Sequence, residues 1–240
     1  MNSTYDKFAS FYNALWSEKF AKKVIDPLQN LISNWGHPLA GAKILDVASG
    51  AGHLDHLLVS RGAFVCGLEA SPALIEFART NAKEAEFSRW HFGEAISFTH
   101  KFHIAISLYD SLNYVKNIEQ LEDVFRQVHH QLEDSGILIF DVNNAHGHAT
   151  RWQNQIEVQF NQNHASLSFH YDRENSLATC RIQGVLNESS FSEVHRQISL
   201  NPDEVRACLL RAGFREVAAI EPLTYQLPAE PGRDWFVAVR

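Results

Sequence analysis

Residues 44 to 53, Ile44-Leu45-Asp46-Val47-Ala48-Ser49-Gly50-Ala51-Gly52-His53, constrain the fold more than any other part of the chain. An apolar run that ends in small residues reads as a buried parallel strand, from Lys43 to Val47, entering a tight turn. Leu54 to Ser60 then suits a helix closed by Gly62, and Ala63 to Leu68 a second strand. A strand, a helix and another strand in that order imply a parallel sheet. The alternation continues with Pro72 to Ala82 as helix, Phe87 to Phe92 and Phe102 to Leu108 as strands, Ile118 to Leu132 as helix and Gly136 to Val142 as strand.

Both flanks of this α/β body differ from it. Residues 5 to 33 carry apolar side chains at helical spacing, Tyr5, Phe8, Tyr12, Leu15 and Trp16, followed by a second helical run from Lys19 to Ile32. From Gln155 to Leu200 the pattern changes to strand-like stretches joined by Asn-rich connections, which reads as an antiparallel insert spanning 145 to 200 after the fifth strand. Asn201-Pro202-Asp203-Glu204 opens another helix, closed by Gly213, and Arg215 to Glu221 and Trp235 to Val239 read as two last strands. With 240 residues and no internal repeat, the expectation is a single domain with an excursion.

Gly50 and Gly52 leave out side chains where a ligand must approach the backbone, and a carboxylate at Asp46 can organise the turn or receive an ammonium group, directly or through water. Without a ligand, the same pattern is only a tight strand-to-helix turn. Glu69, ending the second strand, changes the balance, because an acid there can accept the hydroxyls of a ribose. A nucleoside is implied. A dinucleotide fingerprint wants a third glycine, and Asp55 stands in its place with no basic residue in the turn, so a diphosphate would be repelled. That disfavours hydride transfer with a nicotinamide cofactor.

Asp46-Val47-Ala48-Ser49-Gly50-Ala51-Gly52 resembles the first motif of the class I S-adenosylmethionine-dependent methyltransferases, acid-x-Gly-x-Gly-x-Gly, with Ala48 in place of the first glycine. The resemblance extends through Gly67-Leu68-Glu69-Ala70-Ser71-Pro72, Phe92-Gly93-Glu94-Ala95 and Leu108-Tyr109-Asp110-Ser111-Leu112-Asn113-Tyr114, the last similar to small-molecule members. Tyr5-Asp6-Lys7-Phe8-Ala9-Ser10-Phe11-Tyr12-Asn13 is similar to an amino-terminal lid over the cofactor, with Asn13 replacing a final acid. The resemblance implies a Rossmann-like, seven-stranded, mostly parallel sheet with helices on both faces and the last strand antiparallel. It implies S-adenosylmethionine as cofactor, held by Tyr5, Asp46, Ala48, Gly50, Gly52, Glu69, Ala70, Glu94, Ala95 and Leu108.

A methyl sulfonium is already activated, so the protein must chiefly align a nucleophile and exclude water. Asp110 follows the carboxyl end of the fourth strand, where open α/β sheets bind ligands, and is the expected acid at the reacting centre, with Tyr12 of the lid beside it. Asn113, Tyr114 and His195 are the candidates for orienting the acceptor. The alternative for Asp110 and Asn113 is a cap or loop organiser. The resemblance points to N-methylation of a small amine, with O- or C-methylation as the alternative and a non-catalytic module that binds the cofactor as a different class.

A net charge of −7, from 21 Lys+Arg against 28 Asp+Glu, offers no basic field for nucleic acid, so a small-molecule substrate is expected. Cys66, Cys180 and Cys208 are too far apart to read as metal ligands and are expected to be reduced and buried. His53 and His56, His129 and His130, and His146 and His148 sit near one another without an acid or cysteine at a ligand spacing, so no metal is expected. The chain shows no secretory leader and no long apolar run, from which a cytoplasmic location and no membrane partner are expected. Nothing in the sequence indicates an oligomeric state.

Overall fold

The apolar run Lys43–Val47 is strand β1 of the computed structural model, which describes residues 5–240. Ahead of it, α1 (Ala9–Tyr12), a π-helical turn (Asn13–Ser17) and α2 (Glu18–Asn34) follow one another without interruption. After it come α3 (His53–Ser60), β2 (Phe64–Glu69), α4 (Pro72–Asn81), β3 (Glu86–Arg89) and β4 (Phe102–Ser107). A 3-10 turn (Ser111–Tyr114) leads to α5 (Ile118–Gln131) and β5 (Leu132–Asn143). Ser71 shows how locally these starts are encoded: its hydroxyl accepts from the Leu74 N–H, and Pro72 occupies the first helical position, where a missing N–H costs nothing.

The expected insert begins with a short helix, α6 (Ala145–Arg151), and continues as β6 (Gln155–Phe160), β7 (Asn163–Asp172), β8 (Leu177–Leu186) and β9 (Ser189–Ile198). These four strands form an antiparallel sheet in sequence order. The chain returns through α7 (Pro202–Arg211), β10 (Glu216–Ile220), α8 (Pro222–Tyr225) and β11 (Arg233–Val239). The main sheet has seven strands in the order β10-β11-β5-β4-β1-β2-β3. From β5 to β3 all pairs are parallel, and β11 runs antiparallel to both β5 and β10. This is the Rossmann-like arrangement with a single reversed strand that the motifs imply.

Strand alternation decides what each face of the sheet buries. Leu45 and Val47 point into a core with Val124 and Phe125 of α5 and Leu209 of α7. Ile44, Ile104 and Ile106 point the other way, against Leu28 of α2 and Leu58 of α3. A third, smaller core joins Phe8 and Phe11 of the amino-terminal segment to Ala165, Leu167, Cys180 and Ile182 of the second sheet. Each phenylalanine buried there contributes roughly 1.5–3 kcal/mol, which fastens the start of the segment before β1 to the insert, while α2 packs on the main sheet. Cys66, Cys180 and Cys208 are free, buried thiols. Among the described residues no helix is long and apolar enough to cross a membrane, and no group of acids, histidines and cysteines is arranged to hold a metal ion.

Candidate functional site

The carboxyl ends of β1, β2 and β4 lie side by side in the parallel sheet, and the turns that leave them line a cavity of about 860 Å³. Ala48 and Gly50 come from the first turn, Glu69 and Ala70 from the second, and Tyr109 and Ser111 from the third. Gly50 is left-handed, with φ +62°, and a Cβ on it would lie 3.4 Å from the Tyr12 ring. The absent side chain keeps the channel between the turn and the amino-terminal segment open. Gly52 serves a different need: with φ +77°, a Cβ there would fall 2.7 Å from the Ala78 Cα, so α3 and α4 approach only because it is glycine.

Glu69 ties the first two turns together. One carboxylate oxygen accepts from the Gly50 N–H at 2.9 Å, and the other from the Ala70 and Ser71 N–H groups at 2.8 and 2.9 Å. Burial pushes this carboxyl above its ordinary range, and the N–H groups of Ser71, Gly50 and Ala70 oppose the shift. A carboxylate accepts about four hydrogen bonds, so Glu69 keeps capacity for a ligand hydroxyl. Glu94 lies further along the same cavity, its carboxylate accepting from the His91 N–H at 2.9 Å, beside Trp90 and Phe92.

Asp46 does not line the cavity. Strand alternation turns it to the face of Ile44, under the first turn of α3, where it meets Asp55; the two are 4% and 0% exposed. Neither oxygen of Asp55 has a partner unless a proton is shared with Asp46. Burial raises both carboxyls, Asp46 well above its usual range and Asp55 to about 7. The pair supports the glycine turn from below. It also leaves acid, rather than lysine or arginine, beneath the place where a diphosphate would sit.

A second cavity of about 230 Å³ adjoins the first, and Tyr5, Tyr12, Tyr109 and Tyr114 line both. The Tyr5 ring lies 5.1 Å from that of Tyr12 and 5.9 Å from that of Tyr114, centroid to centroid, and Tyr12 and Tyr109 are 6.4 Å apart. Four aromatic rings therefore stand where the two cavities meet, a surface that attracts cations. Asp110 lines the smaller cavity, one oxygen accepting from Arg233 at 3.0 Å and the other from Gln197 at 2.7 Å. Arg233 also binds Asp141 and Glu230. Burial disfavours its charge, and the three carboxylates more than offset that, so the guanidinium stays charged.

Of the residues singled out in the sequence, Tyr5, Tyr12, Ala48, Gly50, Glu69 and Ala70 line the larger cavity, with Glu94 and Tyr114. Asp110 and His195 line the smaller one. Asn113 is 0% exposed; its amide donates to the Asn143 and Ile198 carbonyls and accepts from the Asn143 N–H, joining the two sheets instead of facing a cavity. Leu108 is buried in the core against α2 and α3, Ala95 is exposed outside both cavities, and Gly52 caps α3. Sequence reasoning missed Tyr109, Asp141 and Arg233. Asp141 had a visible signal, a lone acid inside the apolar run Ile137 to Val142.

The site thus offers carboxylates for sugar hydroxyls and aromatic rings for a cation. A family model described as a methyltransferase domain matches residues 39–188. A protein of Geobacillus sp. (strain WCH70), provisionally named a methyltransferase, is 27% identical, with 98% of this chain and 99% of the relative covered. The dTDP-3-amino-3,4,6-trideoxy-alpha-D-glucopyranose N,N-dimethyltransferase of Streptomyces venezuelae is 26% identical over 82% of this chain and 83% of its own. A solved S-adenosylmethionine-dependent methyltransferase from Clostridium acetobutylicum ATCC 824 shares the fold, with a TM-score of 0.79 at 17% identity and 98% of both chains covered. The family match spans more than half of the chain and begins just ahead of β1 and its glycine turn, and the protein belongs to the class I S-adenosylmethionine-dependent methyltransferases.

Proposed function

We propose that the enzyme methylates an amine nitrogen of a small molecule, with S-adenosylmethionine in the larger cavity and the acceptor in the smaller one. The observation that carries this reading is the set of four tyrosines that the two cavities share, with the Asp110 carboxylate on the side of the smaller one. S-adenosylmethionine supplies a methyl group already activated on a positively charged sulfur. Glu69 and the backbone at Gly50 and Ala70 would hold its nucleoside part, and Glu94 the far end of the base. Tyr5 and Tyr12, on a lid formed by the amino-terminal segment, would close over the glycine turn and exclude water. The second sheet would wall the acceptor.

Tyrosine faces favour a cation without donating a proton to it, and Asp110 faces the same space with its negative charge held in place by Arg233 and Gln197. An amine acceptor is cationic on arrival and its product is cationic too, so both states gain from these groups. A hydroxyl acceptor gains from neither. The amino-sugar relative has an N,N-dimethyltransferase name, which agrees in chemical class. The test is turnover of S-adenosylmethionine with matched pairs of small acceptors, amino sugars and amino acid derivatives beside their hydroxy analogues, read by mass spectrometry. Methyl gain on the amines alone is expected; gain on the hydroxy analogues alone overturns the reading.

A further inference from the structure

We infer that His195 is the base that takes the proton from the acceptor's ammonium group, an assignment that rests on the amine reading above. His195 belongs to β9, is 3% exposed and lines the smaller cavity. Its Nδ1 is 3.0 Å from the Tyr114 hydroxyl, which donates in turn to the Tyr5 hydroxyl at 3.2 Å. With the Tyr114 proton committed to Tyr5, the hydrogen between Tyr114 and His195 belongs to Nδ1, and Nε2 keeps a bare lone pair. That Nε2 is buried and has no hydrogen-bond partner. A buried polar atom without a partner, in a residue that lines the acceptor cavity, calls for one from a ligand.

Glu193, on the same strand, places a carboxylate oxygen 3.9 Å from Nε2. The other titratable or charged groups facing this space are Tyr5 and Tyr12 from the lid, Tyr109, Asp110 and Tyr114 from the third turn, Cys180 from β8, Arg151 from α6, and Glu230 and Arg233 from the β11 side. Both oxygens of Asp110 already accept hydrogen bonds, which makes it a fixed counter-charge, whereas Nε2 is uncommitted. In the step, the ammonium gives its proton to Nε2, and the freed nitrogen pair forms the new bond to the methyl carbon. The carbon–sulfur bonding pair stays on sulfur, and the proton on His195 passes to solvent before the next turnover.

The test is His195→Gln, measured with an amine the native enzyme methylates. The variant is expected to lose about 100-fold in kcat/KM at pH 7, and to close most of that gap at pH 9, where more of the amine arrives unprotonated. Binding of S-adenosylhomocysteine by calorimetry should stay within about threefold, because His195 lies outside the cofactor cavity. In His195→Ala, added imidazole should restore part of the rate. Near-native activity at pH 7, or a loss equal at pH 7 and pH 9 without imidazole rescue, overturns the assignment. Should His195→Gln lose S-adenosylhomocysteine binding, Tyr114→Phe decides: it removes the acceptor of the Nδ1 proton, and a pH-independent loss again overturns it. A native enzyme that methylates no amine sinks the amine reading itself, and intact amine methylation without His195 sinks only the base.

Discussion

Four residues that line the cavities, Tyr5, Ala48, Tyr109 and Asp110, have left-handed backbones, with φ of 79°, 64°, 63° and 52°. Each non-glycine residue so placed costs roughly 1–2 kcal/mol, and such positions gather where a site needs a side chain aimed against the grain of the chain. Tyr109 and Asp110 are held there by Asp141, whose two oxygens accept their N–H groups at 2.7 and 3.0 Å and also bind Arg233. Asp141→Asn leaves one acceptor oxygen where two are needed. A loss of about 2–4 kcal/mol in urea unfolding is expected, with a larger rise in KM for the acceptor than in the dissociation constant for S-adenosylhomocysteine. A loss below about 1 kcal/mol would remove Asp141 as the support of this turn. Glu69→Ala acts on the other cavity: with three N–H partners and the ligand's acceptor gone, S-adenosylhomocysteine should bind about 30–100-fold more weakly in calorimetry. An unchanged dissociation constant would count against the ribose role.

At the scale of elements, the segment before β1 is joined to the rest at several points, two of which bracket α1. The Glu193 carboxylate of β9 accepts from the Lys7 and Phe8 N–H groups at 3.1 and 2.7 Å, and the Asn13 side chain accepts from His53 and Asn81, each at 2.9 Å. The π-helical turn, a wider coil common at functional sites, starts at the second of these points. Glu193→Ala releases the first point. It should raise the dissociation constant for S-adenosylhomocysteine about 3–10-fold and speed amide hydrogen exchange across residues 5 to 17, while exchange in β1 stays slow; unchanged exchange there would mean the remaining contacts fix the segment without Glu193. Most strands and helices were legible in the sequence because their signals are local, as with Lys43–Val47 and the Pro72 helix start. The short α6 was not, since His146, Gly147 and His148 carry neither apolar spacing nor a good helix former. The glycine turn and Glu69 were legible as a site. Tyr109 was not, because two successive left-handed residues after a strand, Tyr109 and Asp110, change which side the ring faces and nothing nearby announces them.

Across the whole molecule, the cavities lie where the small core of the amino-terminal segment and second sheet meets the ends of the parallel strands, and the Asp46 and Asp55 pair is buried beneath the glycine turn of β1. Its position follows from a rule the sequence already contains, the alternation that puts Asp46 on the face of Ile44, yet its partner is visible only once α3 is laid over β1. Burial raises Asp55 from 3.8 to about 7, and Asp46 is raised as well. The folded chain therefore holds a proton that the unfolded carboxyls have already released, and folding takes one up between about pH 4 and pH 7. Stability from this pair is present at the acidic side of that window and declines as the pH rises through it. Buried His148 and the half-buried His53, His37 and His129 act in the opposite sense, because desolvation lowers them and they must charge in acid when unfolded. Comparison with Asp55→Asn cancels their contribution, since both proteins carry them. The amide can donate to Asp46 at any pH, so the melting temperature of the native enzyme should fall between pH 5 and pH 8 by roughly 3–8 °C more than that of the variant. Parallel curves would mean that the two carboxyls do not share a proton in the folded protein.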